Sequence, residues 1–392
     1  MLNVAKINNL VYASPVWGCT RSRPGMLTLN QPHIGHAEIK RVTRVLESGQ
    51  LAQGVEVAEL ERAFAMYCGT KYAVAVNSGT AAIHAGLHAL GVGQGDEVIV
   101  SPFSFIASVS PALMLGAKVV FADISEDSMC IDPASVAARI TKRTKAIVPV
   151  DLFGKVHDHA RMVEVAHKNN AALLDDACQA VGASMDGHKT GSLGDATAFS
   201  LYATKNITCG EGGILTTDSK DIYECSRRFR NHGQKEGVRY EYLELGYNYR
   251  MTDMQAAIAI EQLTRVDVMN EHRVRNARRL SERLSTSVAL VAPQVPADGS
   301  HVFHQYTVRL LGADARKRED FIAYLHARGI QAGLYYARPI HLTPMFAQRG
   351  HVVGECPIAE RVACEVVSLP VHPGITLKDI DYIATNVLEY VG

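Results

Sequence analysis

Lys205 is placed where a lysine can react rather than only carry a surface charge. It follows a short apolar segment, residues 196–200 (ATAFS), and precedes the glycine-rich residues 210–213 (GEGG). A side chain just past a strand and backed by a glycine turn can reach into a cleft. Lysine also forms a reversible Schiff base with a carbonyl compound, provided that its amine can lose a proton. We therefore predict that Lys205 binds a carbonyl group.

An acidic pair upstream makes this interpretation more specific. The apolar residues 171–174 (AALL) end in Asp175 and Asp176, and the interval to Lys205 leaves room for one further loop and strand. A carboxylate and a lysine at neighbouring strand ends describe a pyridoxal 5′-phosphate (PLP) site, in which the acid keeps the pyridine nitrogen protonated and the lysine binds the aldehyde. Because successive side chains of a strand point in opposite directions, either aspartate could face this site.

The segment NSGT at residues 77–80 supplies groups that suit a phosphate. It stands between an apolar segment and an alanine-rich helix. Ser78 and Thr80 bring hydroxyls, Gly79 lets the backbone approach closely, and the helix start presents free N–H groups at the positive end of its dipole. Ser200 could add one more hydroxyl. A plain capped helix start is the structural alternative, and the presence of a reactive lysine favours the phosphate.

Two aromatic residues follow the apolar segment at residues 97–100, where they could cover the flat face of a pyridine ring. These are Phe103 and Phe105. Packing into a hydrophobic core is the alternative for both, and the pattern alone does not favour either outcome.

Short apolar segments alternate with helical patterns from Leu27 onward. This alternation predicts an α/β fold with a mainly parallel sheet between layers of helices, and ligands then bind at the carboxyl ends of the strands. Ser78, Asp176 and Lys205 all follow such ends, which supports a single shared site. The predicted strands are residues 72–76, 97–100, 118–122, 145–150, 172–174, 197–201 and 213–217.

The length of 392 residues exceeds what one simple core usually holds, so two domains are expected. A helix-rich stretch leads from a large PLP-binding domain, residues 26–269, to a smaller α/β domain, residues 270–392. Residues 1–25 lack the basic start of a secretory signal and are expected to form a poorly packed extension.

The composition excludes several classes of partner. The 40 basic and 40 acidic residues cancel, so no field attracts nucleic acid or an anionic membrane. No apolar run approaches the roughly 20 residues that span a bilayer. The eight cysteines form no Cys-x-x-Cys pair. Neither a metal site nor a disulfide framework is therefore expected, and reduced thiols favour a cytoplasmic protein.

Taken together, these motifs resemble the DegT family of PLP-dependent nucleotide-sugar aminotransferases, which have the aspartate-aminotransferase fold (fold type I). The resemblance runs from about residue 29 to residue 391. The matching segments are residues 48–54, 77–82, 101–105, 175–179, 200–206, 210–213, 246–253 and 368–374.

The resemblance implies a role for individual residues. Lys205 would bind PLP covalently, Asp176 would pair with the pyridine nitrogen, and Gln179 would contact the phenolic oxygen. Phe105 would stack on the ring. Asn248 would reach the phosphate bound in the neighbouring subunit, which implies a homodimer with two shared sites. The phosphate of the chain's own cofactor would be held by Gly79, Thr80 and Ser200.

The resemblance also implies a reaction, namely transfer of an amino group from L-glutamate to a nucleotide-linked keto-sugar by a ping-pong mechanism. A 4-keto-6-deoxy hexose is the favoured acceptor, and a 3-keto sugar or an inosose is an alternative. Some family members carry histidine in place of the lysine and act as dehydratases, so Lys205 favours amino transfer over a PLP-dependent dehydratase. A non-catalytic PLP-binding regulator is the remaining alternative, which the lack of a basic recognition helix disfavours.

Basic side chains are expected to meet the carboxylates of the donor and the diphosphate of the acceptor, because guanidinium groups match such oxygens well. The candidates are His232, Arg250 and His341, with Lys155, Arg228 and Arg230 as further possibilities.

Overall fold

The structure is a computed structural model that describes residues 25–296 and 298–392. The predicted extension at residues 1–25 therefore lies outside the described residues, apart from Gly25. The strands are β1 (Tyr72–Val76), β2 (Glu97–Val100), β3 (Lys118–Phe121), β4 (Thr144–Val148), β5 (Ala172–Asp176), β6 (Ser184–Met185), β7 (His188–Lys189), β8 (Ala196–Ser200), β9 (Gly213–Thr217), β10 (Leu290–Val291), β11 (Tyr306–Leu310) and β12 (Val366–Leu369). The helices are α1 (His36–Ser48), α2 (Val55–Cys68), α3 (Gly79–Ala89), α4 (Ser110–Met114), α5 (Pro133–Arg139), α6 (His159–Lys168), α7 (Lys220–Phe229), α8 (Asp253–Leu263), α9 (Val266–Leu284), α10 (Ala315–Ala327), α11 (Pro344–Ala347), α12 (Pro357–Glu365) and α13 (Leu377–Val391).

Seven strands form one mixed sheet in the order β1-β9-β8-β5-β4-β2-β3. The strands from β8 to β3 run parallel to their neighbours, whereas β9 is antiparallel to both β1 and β8. Parallel neighbours need a long crossover, usually a helix. Residues 201–212 contain no helix, so the chain returns directly and β9 runs the other way. The predicted α/β fold with a mainly parallel sheet is confirmed, with β9 as the exception.

Side chains of the large sheet alternate between two hydrophobic cores. Val74 and Val76 of β1 pack into one core, while Ala73 and Ala75 pack into the other. Strands β8 and β9 are buried along their whole length. Burial on both faces explains why the sequence of these strands is apolar throughout rather than alternating.

A second, antiparallel sheet has the order β10-β11-β12 and a hydrophobic core of its own, formed with α9, α10 and α13. The first of the described residues also pack against this unit, because Leu27 pairs with Ile330. The predicted domain boundary between residues 269 and 270 falls inside α9, and the division into two domains stays a prediction. No helix within the described ranges is both long and apolar enough to cross a membrane.

The register of the large sheet brings three strand ends together. Gly213 at the start of β9 pairs with Val76 on one side and with Ser200 on the other. Asp176 pairs with Ala198, two residues before the end of β8. The ends of β1, β5 and β8 therefore lie along one edge of the sheet, as ligand binding in this class of fold requires.

Candidate active site

Lys205 lies in the turn that follows β8, where its backbone N–H donates to the carbonyl of Tyr202 at 2.9 Å. Burial lowers the pKa of the Lys205 amine below its usual value, and the neighbouring Cys178 and Asp176 oppose this shift. A lysine that loses its proton more readily is a better nucleophile and a better proton acceptor. The structure therefore places the predicted amine beside the predicted carboxylate, in the environment that its chemistry needs.

The two aspartates at the end of β5 face different surroundings. Asp176 lies on the side of Lys205 and accepts a hydrogen bond from the backbone N–H of Cys178 at 3.1 Å. Asp175 instead lies close to His157 and His159. The alternation of side chains along a strand separates the two carboxylates. The structure thus decides between them in favour of Asp176, which the sequence alone left open.

Ser108 holds Asp176 in place, and no pattern in the sequence points to this serine. Its Oγ donates to Oδ2 of Asp176 at 2.6 Å, and the hydroxyls of Ser104 and Ser108 are 2.8 Å apart. All three side chains are buried. A carboxylate that accepts two hydrogen bonds in a buried site keeps a defined orientation, which a cation such as a pyridinium N–H can then use.

Gln179 is oriented by two further contacts. Its Oε1 accepts from the backbone N–H of Phe153 at 2.8 Å, and its Nε2 donates to the hydroxyl of Tyr336 at 3.3 Å. Burial raises the pKa of the Tyr336 hydroxyl, which therefore stays protonated. Tyr336 comes from a distant part of the chain, and no spacing in the sequence points to it.

The predicted phosphate site at the start of α3 is closely packed around Gly79. Ser78 caps the helix, since its Oγ accepts from the backbone N–H of Ala81 at 3.1 Å. A Cβ on Gly79 would lie 2.9 Å from Cβ of Ser200 and 3.0 Å from Sγ of Cys178. The first N–H groups of a helix have no acceptor within it. This cradle therefore presents backbone donors with the hydroxyls of Ser78, Thr80 and Ser200 around it.

The two candidate aromatic rings differ in burial and packing. Phe103 is fully buried and packs edge-to-face against Phe153 and Tyr336. Phe105 is 43% exposed and precedes the short 3-10 turn Ile106–Ser108 that carries the serine bonded to Asp176. Phe103 thus serves the core, and Phe105 has the accessible surface that stacking on a ring needs. That Phe105 stacks on the cofactor stays a prediction.

His304 is a further neighbour of Lys205 that sequence reasoning missed. It is buried, and burial together with the charges of Lys205 and Arg273 holds the pKa of its imidazole well below the usual range. The ring is therefore neutral and adds no positive charge beside the lysine. His304 therefore places no second positive charge next to the Lys205 amine.

These residues fit PLP. The amine has a lowered pKa, the carboxylate is buried and hydrogen-bonded, and a Cβ would fill the cradle at Gly79. Lys205 would bind the aldehyde, Asp176 the ring nitrogen, and the start of α3 the phosphate.

The candidate substrate residues differ in exposure and in the partners that they already have. His232 is exposed and Arg250 is half-buried, with its Nη1 donating to Oδ1 of Asn231 at 2.6 Å. His341 is fully buried, and its Nε2 lies 3.0 Å from Oε1 of Glu360. The prediction that His341 meets substrate is therefore wrong, because its ring packs inside the protein and already has a partner.

Two of the further basic candidates also have structural partners. Arg230 is buried against Glu61 and the carbonyl of Ala75. Arg228 donates to Glu244 at 2.8 Å. The Arg230 guanidinium is therefore buried in structural contacts, whereas Arg228 is still 30% exposed and its contact with a substrate stays a prediction.

Asn248 is exposed, and its backbone lies beside the phosphate site of its own chain. Its carbonyl accepts from Nδ2 of Asn77 at 3.5 Å, and the N–H of Asn77 donates to the carbonyl of Tyr249 at 2.9 Å. The role of Asn248 toward a neighbouring subunit stays a prediction.

The fold and this site define a PLP-dependent transferase. The chain belongs to the DegT/DnrJ/EryC1/StrS aminotransferase family, whose model matches residues 32–388. The chain is 40% identical over 328 residues to the GDP-perosamine synthase of Caulobacter vibrioides, covering 83% of this chain and 88% of that protein. It is 36% identical over 345 residues to the UDP-N-acetyl-3-dehydro-alpha-D-glucosamine 3-aminotransferase of Acidithiobacillus ferrooxidans, covering 88% and 91%. It is also 38% identical over 357 residues to a pleiotropic regulatory protein of Geobacillus stearothermophilus, covering 90% and 94%.

Solved structures agree with the family assignment. A protein of Streptococcus pneumoniae described as a sugar aminotransferase superimposes with a TM-score of 0.89 in its PMP (pyridoxamine phosphate) form, at 29% identity, covering 93% of this chain and 98% of that one. Its PLP form superimposes with a TM-score of 0.88. The predicted family, fold, cofactor and class of enzyme are therefore confirmed.

Proposed function

We propose that this chain transfers an amino group from L-glutamate to a keto-sugar linked to a nucleoside diphosphate, with a 4-keto-6-deoxy hexose as the acceptor. The observation that carries the proposal is the pair formed by Lys205, an amine with a lowered pKa, and the buried carboxylate of Asp176 beside it. Named relatives that act on nucleotide-linked sugars support the class of acceptor.

PLP, when bound, supplies the aldehyde that exchanges the amino group and the ring that withdraws electrons from the reacting carbon. With PLP bound, Nζ of Lys205 would accept the proton that leaves the α-carbon of the donor and would hold it for the next step. This transfer needs a neutral amine, which the burial of Lys205 favours. The keto acid leaves before the sugar enters, so one lysine serves both halves of the reaction.

Asp176 contributes by holding a proton on the pyridine nitrogen. Its carboxylate is fixed by Ser108 and by the backbone N–H of Cys178, so it can accept a charge-assisted hydrogen bond from that nitrogen. A cationic ring stabilises negative charge on the substrate carbon better than a neutral one does. Gln179 and Tyr336, which contact each other, are the proposed partners of the phenolic oxygen.

The proposal also specifies which carbon of the acceptor sugar carries the keto group. The relative from Acidithiobacillus ferrooxidans is named for amination at position 3, and this favours a 3-keto sugar as the second candidate. An inosose is the third. His232 and Arg250 lie near each other on paired segments, since Asn231 bridges Asn248, and both remain proposed contacts for acidic groups of the substrates.

A homodimer with shared sites is also part of the proposal. Large apolar side chains are exposed in two stretches of the chain, and unpartnered apolar surface of this kind often marks an interface. Asn248 follows directly after the second stretch. These side chains are Ile39, Leu46, Leu51, Val55 and Met66 in the first stretch and Val238, Tyr240, Tyr242, Leu243 and Leu245 in the second.

We also propose that the protein works in the cytoplasm. All seven cysteines within the described residues are free thiols, as expected in a reducing compartment.

The test is a reaction of the PLP-loaded protein with glutamate labelled with ¹⁵N at the amino group. Each acceptor is offered in parallel: a 4-keto-6-deoxy sugar, a 3-keto sugar, each with its nucleotide, and an inosose. We expect release of 2-oxoglutarate and appearance of ¹⁵N in the 4-keto acceptor by mass spectrometry. Label in the 3-keto sugar or in the inosose instead would correct the acceptor while keeping the transferase.

Two outcomes would contradict the proposed function. Loss of water from the sugar without ¹⁵N incorporation would indicate a dehydratase. PLP binding without turnover of any donor or acceptor would indicate a regulatory protein, which is how the name of the Geobacillus stearothermophilus relative describes that relative.

A further inference from the structure

A second cluster of titratable side chains lies behind the active site, on the face of β5 opposite Asp176. His157 and His159 flank Asp158, which caps α6, and Asp175 faces them from β5. One ligand atom from each of the three side chains lies within 4.8 Å of the other two. The amino-transfer mechanism uses none of these groups.

The three converging atoms have no hydrogen-bond partner among the described residues. They are Nε2 of His157, Nδ1 of His159 and Oδ1 of Asp175, and all three are buried. Nε2 of His157 is 3.8 Å from Oδ1 of Asp175, and Nδ1 of His159 is 4.0 Å from Oδ2. These distances are too long for hydrogen bonds. A buried polar atom without a partner is costly, so three of them pointing at one place indicate a missing ligand.

Asp151 orients the first histidine as a metal ligand is usually oriented. Its Oδ1 lies 2.8 Å from Nδ1 of His157 and also accepts from the backbone N–H of that residue at 3.1 Å. A proton on Nδ1 leaves the lone pair of Nε2 directed at Asp175. A carboxylate on the far nitrogen of a ligating histidine is a recurring feature of metal sites.

Charge balance favours a divalent cation. Asp151 and Asp175 are each only 2% exposed, and the ion pairs found for them within the described residues are with His157 and His159 alone. Two buried carboxylates without a lysine or arginine need positive charge. One divalent ion at Nε2 of His157 supplies it in place of a proton on that ring.

We propose that His157, His159 and Asp175 bind a divalent metal ion of the zinc type. Ligand atoms around tetrahedral zinc are about 3.4 Å apart, so shifts of about 0.5 Å would close the site on an ion. The second oxygen of Asp175 or a water molecule completes the coordination. The ion would link the start of α6 to β5, the strand that carries Asp176. The prediction of no metal site rested on the absence of a Cys-x-x-Cys pair, a pattern that does not report on histidine and aspartate ligands.

A second group of side chains offers a matched control. His88, Cys225 and Glu244 also lie within reach of one another. There, however, Nε2 of His88 is 3.1 Å from Glu244, which is itself bonded to Arg228 at 2.8 Å. Because these atoms already have partners, we expect no tight metal binding at this group.

The experiment titrates Zn²⁺ into the tag-free, PLP-loaded protein after chelation and dialysis, with calorimetry and metal analysis as readouts. We expect one Zn²⁺ per chain, bound with a Kd below about 1 μM, and a higher Tm for the zinc-loaded protein. His159→Gln should weaken Zn²⁺ binding at least about 100-fold and abolish the rise in Tm. His88→Gln should change neither. Absence of zinc binding to the unmodified protein, or loss of binding only in His88→Gln, would overturn the proposal.

Cobalt substitution tests the site without any variant, in case His159→Gln does not fold. Co²⁺ bound by two histidines and a carboxylate gives visible ligand-field bands without the intense near-ultraviolet band of a cobalt–thiolate bond. Ligand-field bands alone, displaced by one equivalent of Zn²⁺, support the site. A thiolate band would assign the metal to Cys225 or another cysteine and refute the proposal.

Discussion

Ser108 donates a hydrogen bond from its Oγ to Oδ2 of Asp176 across 2.6 Å. The serine belongs to the loop after β2, and the aspartate ends β5. The bond therefore couples a loop that also carries Phe105 to the carboxylate that we propose as the partner of the pyridine nitrogen. A buried hydroxyl from another segment restricts the orientation of a carboxylate more than the strand that carries it can do alone.

Replacement of Lys205 should remove amino transfer while leaving the fold intact. We expect Lys205→Ala to lower kcat at least about 10³-fold, because the variant loses the amine that is proposed to move the proton. The release of 2-oxoglutarate from glutamate measures the loss, and circular dichroism checks the fold. Lys220→Ala, an exposed lysine on α7, is the control and should behave as the unmodified protein. Substantial turnover by Lys205→Ala would remove this lysine from the mechanism.

Replacement of Asp176 should lower kcat more than replacement of Ser108 does. We expect Asp176→Asn to reduce kcat by about 10²- to 10³-fold, because an amide cannot hold the ring nitrogen as a cation. Ser108→Ala should cost only about 10-fold, since the carboxylate remains but loses one donor. Steady-state kinetics at saturating PLP gives both values. Asp186→Asn, in the exposed turn between β6 and β7, is the control. A larger effect from Ser108 than from Asp176 would contradict the assignment.

Gly79 should be intolerant of a side chain. A Cβ there meets Ser200 at 2.9 Å and Cys178 at 3.0 Å, so we expect Gly79→Ala to displace the phosphate cradle and weaken PLP binding at least about 10-fold. Equilibrium dialysis of the apoprotein against PLP measures the change. The matched control is Gly93→Ala, because a Cβ at Gly93 has no neighbour within 4 Å. Equal PLP affinity in the two variants would show that the cradle does not touch the cofactor.

The shared-site proposal predicts that two variants with impaired activity complement each other when their subunits are mixed. In mixed dimers of Lys205→Ala with Asn248→Ala, one site combines the intact lysine with the intact asparagine. Random reassortment of equal amounts should restore about one quarter of the unmodified activity, since half of the dimers are mixed and each has one complete site. Activity after mixing, compared with each variant alone, is the readout. No recovery despite proven subunit exchange would exclude a shared site.

Buried neutral histidines should make the protein lose stability in acid. Burial lowers the pKa of His301 to about 3, and its Nδ1 accepts from the backbone N–H of Phe303 at 3.2 Å. The unfolded chain, with an ordinary histidine pKa of about 6.5, binds more protons between these values. The stability that this residue contributes is therefore fully present above pH about 6.5 and is lost as the pH falls toward 3.

Chemical denaturation at pH 7 and pH 5 tests this expectation. His301 alone should account for a loss of ~2 kcal/mol in the free energy of unfolding at pH 5. His301→Gln should lose less between the two pH values than the unmodified protein does, at equal protein concentration. His167→Gln, at an exposed position, is the control and should keep the full pH dependence. An unchanged pH dependence in His301→Gln would show that this ring is not held neutral.

Much of the fold was predictable because apolar runs between turn residues are local signals. The strands β1, β2 and β9 were predicted to the residue, and the other strands of the large sheet to within two residues. The direction of β9 was not predictable, because it depends on where residues 201–212 return the chain. Helices α7 and α12 were not predicted, because helices of ten and nine residues offer only a short apolar pattern.

The active-site residues were likewise predictable only where the signal is local in the chain. Lys205 and the acidic pair stood out because strand, charge and glycine turn follow one another directly in the chain. Ser108 and Tyr336 did not, since a loop serine and a loop tyrosine have no distinctive spacing. His341 was wrongly selected because a basic residue in a loop looks exposed until its partner, Glu360, is known.

The sequence by itself determined the chemistry that this chain can perform, because reactive side chains at strand ends and glycine at close approaches are properties of neighbouring residues. Strand alternation left open which aspartate faces Lys205, and only the family resemblance named Asp176. Tertiary structure places Asp176 on that side, and it alone decided which histidines meet Asp175 behind it. Contacts between segments far apart in the chain depend on the orientation and register of whole strands, and no local pattern encodes them.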